Sequence, residues 1–129
     1  MLERRQQEIE LIRREFGDIS VGPNLEWIII NRYKLMPGWN KQEIPVLLII
    51  PPGYPTTPPD NFYTDPELRV GQQNTMAGAT SIATMLDKQW LQFSYHVEAT
   101  DWKPNADLLL GHNLLTFIQG VKQRLSEVN

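Results

Sequence analysis

An α+β fold is predicted for this chain: an antiparallel β-meander flanked by an N-terminal helix and a long C-terminal helix. Three observations predict it. Residues 2–16 carry apolar side chains at helical spacing on an otherwise charged background. Three β-favouring runs follow, separated by Gly, Pro and Asn turn chemistry. The last quarter of the chain returns to an apolar helical stripe. The 129 residues suffice for one core, so a single domain over residues 1–129 is expected.

Leu2, Ile9, Ile12 and Phe16 share one face of the first helix, and Gly17 is a natural stop. Arg4, Arg5, Arg13 and Arg14 read as a solvated face. Asp18 to Asn24 reads as a linker ending in Gly22-Pro23-Asn24. Leu25 to Leu35 is a strand rich in Trp, Ile and Tyr, and Met36 to Asn40 a hairpin loop. Glu43 to Ile50 returns antiparallel. Val46 to Ile50 is apolar without alternation, which predicts a strand covered on both faces.

Pro51, Pro52, Pro55, Pro58 and Pro59 then remove five backbone donors and fix φ at each site. Gly53 is the residue able to take a positive φ in a sharp reversal. A stiff, extended crossover is expected, followed by a short strand from Asn61 to Thr64. Leu68 to Gln89 has little amphipathic order and reads as irregular, with a short turn of helix near Ile82 to Leu86. Trp90 to His96 is either extended or a short helix. Asn105 is a good N-cap for a helix through about Glu127, with Leu108, Leu109, Leu115, Ile118 and Leu125 on its core face.

Composition excludes several function classes. The net charge of −3 gives no reason to expect nucleic acid. No apolar run is long enough to span a bilayer, and the charged N-terminus lacks a signal-peptide core. A cytoplasmic protein without membrane association is the expectation. The absence of cysteine removes disulfides, thiolate metal sites and a cysteine nucleophile. His96 and His112 without clustered acids make a poor metal site, and no phosphate-cradling glycine loop is present. No cofactor or metal is expected.

Four blocks carry a resemblance: Pro52-Gly53-Tyr54-Pro55 with Pro58-Pro59 and Phe62-Tyr63, then Asp65-Pro66-Glu67-Leu68-Arg69, then Trp90-Leu-Gln-Phe-Ser94-Tyr-His96, then Trp102-Lys103-Pro104. In this order they resemble the ubiquitin-conjugating enzyme fold, and more closely the prokaryotic branch called family E of the conjugating-enzyme relatives. The likeness covers roughly residues 25 to 120. It implies that the N-terminal helix contributes to a surface for the activating enzyme. It implies as partners a ubiquitin-like protein, an adenylating activating enzyme that uses the ATP, and a metal-dependent deconjugating peptidase in the same pathway. A role in phage defence would fit such systems, though no residue argues for it.

In that family the nucleophile precedes the Trp-x-Pro that opens the next helix, and the same interval before Trp102 lands on or near Ser94. A serine thus stands where a cysteine is expected. The His-Pro-Asn motif of eukaryotic relatives is absent. One reading is a working conjugating enzyme that carries the modifier's C-terminal glycine on Ser94 as an oxyester. A hydroxyl, unlike a partly ionised thiol, needs an adjacent base, and His96 is the nearby candidate. If the segment is extended, Ser94 and His96 face the same side. Asp101 or Asp107 is then the candidate to orient the imidazole.

Each of these residues also has a plainer reading. His96 could be a hydrogen-bonded structural histidine, and Trp90, Phe93 and Trp102 are read as core. Asp107 would sit at the positive end of the last helix, and His112 on that helix one turn past Leu108. Thr80-Ser81 is the alternative hydroxyl pair. A second reading is an inactive adaptor that binds a ubiquitin-like protein or an activating enzyme. A third is a serine substituted for a native cysteine.

Overall fold

The computed structural model describes residues 2–69, 81–98 and 100–126. Helix α1 (Leu2–Phe16) leads into strands β1 (Ile19–Val21), β2 (Trp27–Lys34), β3 (Glu43–Ile49), β4 (Phe62–Thr64), β5 (Ser81–Met85) and β6 (Lys88–Phe93). A 3₁₀ turn (Leu108–Leu110) and helix α2 (Leu114–Ser126) complete the order. The strands form one antiparallel sheet in the order β1-β2-β3-β4-β6-β5. This is the α+β arrangement of an E2-like (ubiquitin-conjugating-enzyme-like) fold.

Both helices lie on one face of the sheet. Ile28, Ile30, Val46, Leu48, Phe62, Leu91 and Phe93 point into a core with Ile9 and Ile12 of α1 and Leu114, Phe117, Ile118 and Val121 of α2. The alternate residues Leu47, Tyr63 and Trp90 form a smaller cluster on the other face, flanked by half-buried Trp27, Ile29 and Ile49. Val46, Leu47 and Leu48 are all fully buried, which explains the unbroken apolar run in β3. Gly17 takes φ +79° and donates its N–H to Arg13 O at 2.8 Å, ending α1 as a left-handed cap.

Several expectations are corrected. The linker at 18–24 contains β1, an edge strand in which Ile19 and Val21 face Ile30 and Ile28. The Asn31 amide fastens it, donating to Asp18 Oδ1 at 2.9 Å and Ser20 Oγ at 3.0 Å. The turn of helix expected near Ile82–Leu86 is instead a β-hairpin. Leu86 and Asp87 both have positive φ, the conformation of a two-residue turn whose twist matches its strands. The rest of the irregular stretch, 70–80, lies outside the described residues.

The proline crossover is also not simply extended. Its first half is folded into turns: Tyr54 N–H donates to Pro51 O and Thr57 N–H to Gly53 O, each at 3.0 Å. Tyr54-Pro55 is cis. Gly53 is not among the positive-φ residues; its value is space, since a Cβ there would lie 2.8 Å from Thr57 Oγ1. The left-handed residue of the crossover is Asn61, at φ 63°.

The last helix starts at Leu114, not after Asn105. Asn105 Oδ1 accepts the N–H of Asp107 in a local turn instead of capping a helix. The chain then doubles back. His112 N–H donates to Lys103 O at 3.0 Å, Pro104 and His112 form a bridge, and a Cβ on Gly111 would lie 2.6 Å from Lys103 O. Asn113 is the actual N-cap: its Oδ1 accepts Thr116 N–H at 3.0 Å while Thr116 Oγ1 accepts Asn113 N–H at 2.9 Å. Asp107 and His112 therefore both precede α2.

The arginines split. Arg13 and Arg14 pair with Glu10 at the surface as a solvated face would. Arg4 and Arg5 instead bind backbone carbonyls: Arg4 those of Asn105 and His112, Arg5 those of Leu25 and Pro51. Arg4 Nε also pairs at 2.7 Å with Glu8, which is fully buried. Glu8 Oε1 accepts from the Tyr54 hydroxyl and, at 2.6 Å, from Leu114 N–H at the start of α2. Burial, then the hydrogen bond to this carboxylate, pushes the Tyr54 phenol far above its ordinary pKa, so Tyr54 stays a donor.

Removing Glu8 strands two buried donors and takes from Arg4 its counter-charge. Glu8→Ala is expected to lower unfolding free energy by about 3–5 kcal/mol in urea titration, against within about 0.5 kcal/mol for Glu10→Ala. Equal effects for the two variants would contradict the bridging role of Glu8.

Candidate functional site

The site forms where β6 ends beside the start of β4. Phe62 pairs with Phe93 in antiparallel register, and their rings stack at 4.9 Å. The residues just before β4 and just after β6 must therefore lie next to each other. Asn61 ties them: its N–H donates to Tyr95 O at 2.8 Å and its Oδ1 accepts Tyr95 N–H at 3.3 Å. The left-handed conformation at Asn61 is tolerable for asparagine and lets one residue make both bonds.

Tyr95 points into the core, its ring edge-on to Phe62 and Phe117 and half-buried. Burial raises its phenol pKa. Its neighbours Ser94 and His96 point outward. Ser94 Oγ lies 3.1 Å from His96 Nε2, and His96 Nδ1 contacts Asp60 Oδ1. The side chains of His96 and Asp60 are 57% and 69% exposed. This constellation is open to solvent. A hydroxyl facing one imidazole nitrogen, with a carboxylate at the other, can pass a proton from Oγ to Nε2.

Of the four residues singled out in the sequence, the structure brings Ser94 and His96 together. The carboxylate at His96 is that of Asp60, not of Asp101 or Asp107. Asp101 lies in a turn closed by its N–H to Glu98 O at 2.8 Å, and Asp107 in the turn that follows Asn105. His112 has a structural place: its Nδ1 accepts Lys103 N–H at 2.8 Å and its ring stacks on Trp102 at 5.4 Å. Trp90, Phe93 and Trp102 are buried, as read from the sequence. Trp102 Nε1 donates to Pro55 O at 2.7 Å, fixing the segment after the site to the crossover before it. Ser81 opens β5 opposite Gln92, and Thr80 lies outside the described residues.

Sequence reasoning missed Asp60 and Asn61. A signal existed. In an antiparallel pair, the residues preceding one strand oppose those following the other. Once Phe62–Thr64 and Trp90–Phe93 are both strands of one sheet, Asp60-Asn61 is the natural neighbour of Ser94 to His96.

A sheet of this order with helices α1 and α2 on one face is consistent with an E2-like fold. Residues 6–127 match the family model described as prokaryotic E2 family E, and the chain belongs to that family. Its function is accordingly conjugating-enzyme-like, in a family whose members work with ubiquitin-like proteins and activating enzymes. Neither the curated proteins nor the solved structures provide a match. Among the described residues, no helix is long and apolar enough to cross a membrane.

Tyr95 makes the site sensitive to the helix behind it. A Cβ at Gly120 in α2 would fall 1.8 Å from Tyr95 Oη and 2.7 Å from Cζ. Alanine normally favours a helix interior by about 1 kcal/mol over glycine. Here Gly120→Ala is expected instead to destabilise by about 1–3 kcal/mol through overpacking, with Tyr95→Phe recovering part of the loss. A Gly120→Ala protein more stable than wild type in thermal unfolding would contradict this packing.

Proposed function

We propose that this chain carries the C-terminus of a ubiquitin-like protein on Ser94 as an oxyester, between an adenylating activating enzyme and a target. The observation that carries the reading is the 3.1 Å approach of Ser94 Oγ to His96 Nε2 at the end of β6, ahead of Trp102-Lys103-Pro104. A hydroxyl is a weak nucleophile until a base takes its proton, and this imidazole is within reach to do so. His96 removes the Oγ proton as Oγ attacks the activated carbonyl of the modifier. The Oγ–C bond forms, the bond to the activating enzyme's carrier group breaks, and that group leaves with the proton from His96. An acceptor amine or hydroxyl then attacks the ester carbonyl and gives its proton to His96, which passes it to Ser94 Oγ as the ester bond breaks.

The openness of the constellation supports a protein-borne substrate. A small-molecule enzyme usually encloses most of its ligand. Here the side chains around Ser94 face solvent, so the tail of a second protein can reach the hydroxyl without a pocket having to open. Because oxyesters are less reactive towards amines than thioesters, transfer depends on acceptor positioning, which contributes through effective concentration.

The test is the intact mass of this protein after incubation with its activating enzyme, the ubiquitin-like protein and ATP. An adduct that survives thiol reductant, yields to hydroxylamine and is absent from Ser94→Ala is expected. An adduct that persists in Ser94→Ala would place the nucleophile elsewhere. Non-covalent binding of the partners with no adduct would favour an adaptor.

A further inference from the structure

We infer that Asp60 is a positioning residue for His96: it holds the imidazole in the tautomer and orientation that leave Nε2 free to accept the Ser94 proton. The inference rests on the oxyester-carrier reading for its catalytic consequence, but the tautomer it assigns is a property of this chain alone.

The geometry gives each nitrogen of His96 one partner. Nδ1 faces Asp60 Oδ1 and Nε2 faces Ser94 Oγ. An ionised carboxylate only accepts hydrogen bonds, so in the neutral ring Nδ1 bears the hydrogen. Nε2 then presents its lone pair to the Ser94 hydroxyl. In the opposite tautomer, two acceptors would face each other at Nδ1, and Nε2 would already carry a proton and could not take another. When the Oγ proton moves to Nε2, the ring becomes an imidazolium. Its positive charge then forms beside a fixed carboxylate, and no proton moves to Asp60.

The chain invests local structure in holding Asp60 there. Pro58 and Pro59 fix φ immediately before it. Asn61 immediately after it takes a left-handed φ of 63° and makes both backbone-directed bonds to Tyr95. Tyr95 lies between Ser94 and His96 in sequence, so the tie that places Asp60 also places the two residues it serves. Phe62 then enters the register with Phe93. Asp60 itself is 69% exposed, so burial of its own side chain does not account for this arrangement.

The test uses the full chain. In the ¹⁵N–¹H correlation spectrum of imidazole nitrogens at a pH where His96 is neutral, the wild type is expected to show a protonated Nδ1 and a bare Nε2. Asp60→Ala is expected to shift His96 to the Nε2–H form. The rate of modifier loading should fall about 10- to 100-fold in Asp60→Ala. In a His96→Ala background, the same change should cost little further, because Asp60 acts through the imidazole. An unchanged tautomer in Asp60→Ala would overturn the inference, as would an equal loss of loading with and without His96. A tautomer that switches in a protein that never acquires an adduct would uphold the role of Asp60 at His96 and defeat the carrier reading instead. Asp60→Ala should unfold at the same temperature as wild type, which separates this effect from a loss of fold.

Discussion

The Glu8 carboxylate is the interaction on which the rest of the arrangement depends. It is fully buried, yet three polar groups reach it: Arg4 from its own helix, the Tyr54 hydroxyl from the proline crossover, and Leu114 N–H from the first turn of α2. A buried charge persists only where such partners replace water. Its position at the N-terminus of α2 adds the favourable field of unpaired helix amides. Three elements far apart in sequence are thereby locked at one point. Arg4 extends the lock to the carbonyls of Asn105 and His112, and so to the segment that leads from the site into α2.

The site inherits its geometry from this lock and from the sheet. The crossover is held at one end by Glu8 and by Trp102 Nε1 on Pro55 O, and at the other by the pairing of Phe62 with Phe93. Asp60 and Asn61 occupy the last step before that pairing. From the other side, Tyr95 anchors the end of β6 against Phe117 and Gly120 of α2. The exposed Ser94–His96–Asp60 chain is thus mounted on buried aromatic packing. This is how a solvent-facing constellation can keep a defined geometry without a pocket around it.

Much of the architecture was legible because its signals were local in sequence. The α1 stripe, the β2 and β3 runs and the strand at Phe62 gave themselves away by spacing and residue type. The elements that escaped were those whose cause lies in tertiary partners. β1 is three residues long and exists because β2 offers an edge. The β5–β6 hairpin turns on Leu86-Asp87, which lacks the usual Asn-Gly signature yet adopts two left-handed residues. Asn105 looked like a helix cap but closes a local turn, while Asn113, not singled out in the sequence, caps α2 with Thr116. At the site, the local pair Ser94-x-His96 could be read because extended backbone places both on one side. The carboxylate could not be chosen by proximity in sequence: Asp101 and Asp107 were near, whereas Asp60 reaches His96 across the sheet.

Which atom bears the modifier decides the chemistry of this protein, and exchanging that atom tests it most directly. Ser94→Cys places a thiol at the position where the serine oxygen stands. Incubated with the activating enzyme, the ubiquitin-like protein and ATP, the variant should form an adduct that thiol reductant removes, while the wild-type adduct resists the same treatment. A Ser94→Cys adduct as resistant to reductant as the wild-type one would contradict the account, because the ester bond would then lie on another residue.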